Sequence, residues 1–287
     1  MTPGSAVLHY LVAPGGAALA TALFCGRLGG ERVRSVVGAA LPVVVGFCAG
    51  CWLLHELPMF APKRHWHWIP LLSVLTIAPA AMTARLCDTT KPPLARRSVY
   101  LLVALAVAFA AACAWRLTPT WKSLAATRWI WIGALTVYFS LLGARIESLC
   151  QRLGTARMLN QMSLAMLCTV ATIGTMVSVV YGAHACLAAA AVSGVWLAAS
   201  SGFVGRTPGG AGFVYALLAG GWAFVGCIEP RQPLFAVMLM PLAPLAMELR
   251  ASGPLSRVRG GAGVLVETGV VVAVLAVAAV MALMRVQ

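Results

Sequence analysis

The chain has 287 residues, 61% hydrophobic and only 10% charged, with a net charge of +14 and a mean hydropathy of +0.91. An ordinary soluble domain carries about 25% charged residues, so this chain lacks the polar surface to cover a water-soluble fold. It has no run of five or more basic residues, which argues against nucleic acid as a partner; its excess Lys and Arg fits the short loops of a membrane protein.

The first span is expected at about 6–25, interrupted by Pro14-Gly15-Gly16, where Pro and paired Gly kink or split a helix. No basic segment precedes it, so it reads as a retained span and not a cleaved signal peptide. The second, about 36–55, carries Pro42 and a Gly46-x-x-x-Gly50 pair whose small residues let another helix approach closely. The third (66–84) contains Pro70 and Pro79, the fourth covers about 98–115, and the fifth (129–149) holds Arg145 and Glu147 in its last turns.

The 48 residues of 158–205 contain no Lys, Arg, Asp or Glu. As one helix they would be roughly 72 Å long, against a bilayer core of about 30 Å. They must double back, giving spans at about 162–181 and 185–204 with the turn expected at Tyr181-Gly182-Ala183-His184. Spans eight, nine and ten follow at about 211–228, 234–249 and 263–284, the ninth broken by Pro241 and Pro244. The expected fold is thus one all-α integral membrane domain over 1–287, a polytopic bundle of about ten spans with no soluble domain. No connection exceeds about 14 residues, so any site must lie between helices or at the membrane surface.

Ten spans place both termini on one side. The odd-numbered loops carry 14 of the 21 Lys and Arg residues, which predicts that these loops are cytoplasmic and that both termini lie outside, in the inner membrane of a prokaryote. Trp52, Trp66, Trp68, Trp115, Trp121, Trp129 and Trp131 then fall at the outer face, as an aromatic belt would.

Three groups of residues are candidates for chemistry. Cys48, Cys51 and His55 share one helix face, with His65 and His67 across a short loop; thiolate and imidazole suit zinc, copper or haem iron, while interface anchoring and packing explain the same residues without a ligand. Arg145 and Glu147 are two apart and so occupy different faces, and Glu267, one turn inside the last span on the same side, is placed to share a substrate pocket with them. The alternative for all three is snorkelling to the nearby surface, and for Glu267 also a partner such as Arg259. The nine scattered cysteines do not form a disulfide framework. Asp88 is the single Asp, which argues against a paired-aspartate protease, and neither a full Gly-x-Ser-x-Gly turn nor a phosphate-binding loop is present.

Size and span count are similar to those of ten-helix small-solute exporters of the drug/metabolite transporter kind, a likeness of arithmetic; Gly30-Glu31-Arg32 echoes a Gly-Glu turn of that family but follows the first span. Proline-broken spans favour a small-solute permease, since freed backbone groups must face protein or a water-filled cavity. The alternatives are a non-catalytic subunit packed against other membrane proteins or a second copy, and a redox or metal protein using the Cys/His cluster. No cofactor is expected beyond that last reading, and the bilayer is the partner expected in every case.

Overall fold

The computed structural model describes residues 6–28, 38–54, 67–78, 128–201, 210–229, 235–253 and 260–286. These residues are all-helical, with no strand among them. A π-helical turn, Leu8–Val12, leads into α1 (Ala13–Leu28). Then come α2 (Ala40–Leu53), α3 (Trp68–Leu75), α4 (Arg128–Leu153), α5 (Thr155–Met176), α6 (Val179–Ser200) and α7 (Ala211–Ile228). A 3₁₀ helix, Phe235–Met247, runs into a short turn of α-helix, Glu248–Ala251, and α8 (Gly260–Val286) closes the series. Five helices among the described residues are long and apolar enough to cross a membrane: Leu8–Arg27, Thr155–Met176, Val179–Ser200, Ala211–Ile228 and Gly263–Met284. The fourth expected span, 98–115, lies outside the described residues, as does the end of the third.

The bundle is built around α7, which is 94% buried, whereas α1 and α8 bury 17% and 22% of their apolar windows and lie at the periphery. Helix α7 touches α4, α5, α6 and the 3₁₀ helix, and also α2 and α3. Its buried side chains include Phe213, Tyr215, Trp222 and Phe224. Small residues set the spacing on the other side of the bundle. A Cβ at Gly46 would lie 2.5 Å from the Pro14 carbonyl oxygen, and one at Gly194 would lie 2.2 Å from that of Gly15. The Gly46 pair therefore does what its spacing predicts, and α1 is wedged between α2 and α6 through backbone contact.

Several boundaries move. The expected break at Pro14 takes the form of the π turn just before it, where Ala13 N–H reaches the Leu8 carbonyl. The charge-free stretch does form an antiparallel hairpin, but the turn is at Val177-Ser178 and not at Tyr181–His184. Ser178 is extended and its hydroxyl accepts from Val180 N–H at 3.2 Å, an N-cap that starts α6 at Val179, six residues before the expected 185. Gly182, expected to turn, lies inside α6 and faces Gly174 of α5, where a Cβ would come within 2.5 Å of the Gly174 Cα. Ser178→Ala is expected to cost about 1 kcal/mol of stability, read as a lower thermal midpoint in detergent. An unchanged midpoint would show that helix packing alone fixes this turn.

Chain ends alternate between the two ends of the bundle. The C-terminal part of α4 meets the N-termini of α5 and α7, and the N-terminal part of α8 meets that of α5. At the opposite end Trp131, early in α4, stacks on Phe235 at the start of the 3₁₀ helix, with ring centroids 6.2 Å apart. The connections after α4, α6 and the 3₁₀ helix thus gather at one end of the bundle.

Candidate functional site

Two buried glutamates lie at that end. Glu147 is 1% exposed, and its carboxylate is committed to the start of α7: Gly210 N–H donates to Oε1 at 2.7 Å and Gly212 N–H to Oε2 at 3.1 Å. Gly210 has φ 100°, a left-handed conformation suited to glycine, and offers no side-chain cap of its own. A Cβ at Gly212 would meet the Gly143 carbonyl oxygen at 2.5 Å and Glu147 N at 2.6 Å, so α4 and α7 touch backbone to backbone here. Glu147 caps α7 from a different helix, placing negative charge where the helix dipole favours it. Arg145 is exposed on another face of α4, as the two-residue separation requires.

Glu267, 2% exposed, faces two arginines. Oε1 lies 2.9 Å from Arg250 Nε and Oε2 lies 3.6 Å from Arg157 Nε, ion pairs without the alignment of hydrogen bonds. Its neighbour Thr268 receives a long 3.5 Å hydrogen bond from Gln161 Nε2 on α5. Nearby, Arg152 pairs with Glu248 at 3.0 Å and also donates to Ser252. Glu147 and Glu267 lie at the same end, as the sequence suggests, but each has its own partners. Arg259, the partner anticipated for Glu267, lies outside the described residues; Arg250 and Arg157 take its place.

The third feature is the 3₁₀ helix. Runs of 3₁₀ longer than three or four residues are uncommon, and this one has 13. Pro241 and Pro244 disfavour the α form, because each ring would clash with the carbonyl four residues back, and neither has an N–H to donate in either register. In the 3₁₀ register the carbonyls they leave open are those of Met238 and Pro241. Tyr138 Oη donates to the Met238 carbonyl at 2.9 Å, and Tyr215 Oη to the Pro241 carbonyl at 3.1 Å. Both freed groups are therefore satisfied by hydroxyls from α4 and α7. Nothing in sequence reasoning singled out these tyrosines. The three-residue spacing of the prolines, equal to the 3₁₀ period, is the signal that was available. Tyr215→Phe is expected to destabilise the protein by about 1–3 kcal/mol, because a buried carbonyl loses its donor. Equal thermal midpoints for variant and parent would contradict that role.

The Cys/His group is only partly in view. His55 and His65 lie outside the described residues. Cys48 and Cys51 lie on α2, half-buried and buried, while His67 precedes α3. Among the described residues no three His, Cys, Asp or Glu side chains gather closely enough to hold a metal ion. The seven described cysteines are all unbonded. No protein-family model, curated protein or solved structure matches the chain.

Proposed function

We propose that this protein is a multi-pass membrane protein and a small-solute permease whose path runs beside the 3₁₀ helix. The observation that carries the reading is that this helix is proline-interrupted, packs along the buried α7, and has its open carbonyls held by side-chain hydroxyls instead of backbone. Interrupted helices in a membrane bundle are where solute sites are built, because only there does backbone become available to a ligand at depth. Arg145, Glu147 and Glu267 lie at one mouth of such a path. The excess of Lys and Arg in the odd-numbered loops supports a cytoplasmic mouth and termini on the outer side of a prokaryotic inner membrane.

A thiol at Met240, 0% exposed in this structure, provides the test. In a chain with its nine cysteines replaced, Met240→Cys in proteoliposomes is expected to react with a membrane-impermeant thiol reagent from at least one side, since a permease must open there. Protection from both sides would overturn the reading. It would favour instead a sealed structural subunit, an alternative supported by the fact that both open carbonyls face protein. Fixed partners, or a second copy, would then co-purify with the chain. The lipid bilayer is the partner common to both readings.

A further inference from the structure

We propose that Phe235–Met247 is a length-switching element, held in its long form by the hydroxyls of Tyr138 and Tyr215. The register carries the inference. In a 3₁₀ helix a carbonyl bonds the N–H three residues ahead, so Pro241 and Pro244 leave the carbonyls of Met238 and Pro241 open. Those are the two carbonyls the tyrosines reach, at 2.9 and 3.1 Å. In an α-helix the open carbonyls would be those of Val237 and Met240, each rotated around the axis, and the same hydroxyls would miss them. The tyrosines therefore select one register over the other, from two different helices.

The two registers differ in length. At about 2.0 Å per residue for 3₁₀ and 1.5 Å for α, the twelve steps from Phe235 to Met247 shorten by about 6 Å on conversion. Helix α4 is a strut alongside. At its early end Trp131 stacks on Phe235, and near its late end Arg152 pairs with Glu248. Those α4 residues are about 32 Å apart along an α-helix. The 3₁₀ form spans about 26 Å from Phe235 to Glu248, a gap that side chains close, whereas an α form would span about 20 Å. Shortening would pull Glu248 from Arg152 and Arg250 from Glu267 together, since both partners sit in the turn that follows the element. Release of the tyrosine hydroxyls is thus coupled mechanically to the ion pairs at the far end of the bundle. A role for this motion in solute passage rests on the permease reading; the change in length does not.

The test is a distance. Spin labels on Phe235→Cys and Leu249→Cys, both nearly half exposed, are placed in the otherwise cysteine-free full chain in liposomes and read by pulsed electron resonance. Tyr138→Phe with Tyr215→Phe is expected to move the main distance about 6 Å shorter than in the parent. Adding Pro241→Ala and Pro244→Ala to the tyrosine pair, which restores the N–H donors and removes the ring clash with the carbonyls four residues back, is expected to give the same shortening, whereas the proline pair alone, with the hydroxyls in place, is expected to keep the parent distance. If the tyrosine pair yields no defined distance, the variant with all four substitutions decides. A folded four-substitution variant that keeps the parent distance overturns the proposal, as does a folded tyrosine pair that keeps it or a proline pair that shortens with the tyrosines in place. Shortening in the tyrosine pair and the four-substitution variant, together with a Met240→Cys thiol protected from both sides, would keep the switch and remove the permease reading.

Discussion

Glu147→Ala is expected to lower the stability of the detergent-solubilised protein by about 2–5 kcal/mol, while Arg145→Ala, two residues away, changes it by less than about 0.5 kcal/mol. The contrast follows from the faces the two residues occupy. Glu147 is buried and accepts from the first N–H groups of α7, and α7 is the helix the bundle packs around. Removing the carboxylate leaves two buried donors without acceptors, at about 1–3 kcal/mol each. Glu147→Gln keeps one acceptor but turns an amide N–H₂ toward a donor, so it should recover less than half of the loss. Arg145 is exposed. Thermal unfolding followed by intrinsic tryptophan fluorescence measures both. Equal midpoints for Glu147→Ala and the parent would mean that the carboxylate is not the cap of α7.

Gly194→Ala is expected to cost about 2–3 kcal/mol, the upper part of the range for overpacking. A single added Cβ would stand 2.2 Å from the Gly15 carbonyl oxygen and 3.0 Å from its carbonyl carbon. Both are backbone atoms, so no side chain can rotate away and α1 must move off α6. Gly16, whose added Cβ meets nothing within 4 Å, is the control: Gly16→Ala should be neutral or slightly stabilising, because alanine favours the helix. Folded yield on size exclusion in detergent separates the two. A Gly194→Ala protein as well folded as Gly16→Ala would contradict the close approach of α1 and α6.

Composition and the charge-free stretch were enough to read a helical membrane protein and a hairpin within it, because hydropathy is a local property of the chain. Gly182 shows where local reading stops. Glycine marks both turns and close helix contacts, and only the partner, Gly174, decides which. Ser178 was the better turn signal, a hydroxyl able to cap the helix that follows. The prolines of 234–249 point to a broken span, but the donors that meet its open carbonyls, Tyr138 and Tyr215, stand 103 and 26 residues from Pro241, as the numbering shows. Glu147 was visible as an intramembrane acid, whereas its role needs the glycine N–H groups brought by another helix. Backbone donors leave no mark in the sequence. Glu267 reads in the sequence as a pocket residue, with snorkelling or a partner arginine as the alternative, and three-dimensional packing pairs it with Arg250 and Arg157.

Whether this chain is integral to a membrane at all is settled most directly by alkaline carbonate extraction of membranes that contain it. Five helices long and apolar enough to cross, and an outer helix that leaves Leu265 and Met284 76% and 65% exposed, predict that the protein stays in the pellet and enters solution only with detergent. Recovery of a folded protein in the carbonate supernatant, stable in water without detergent, would contradict this.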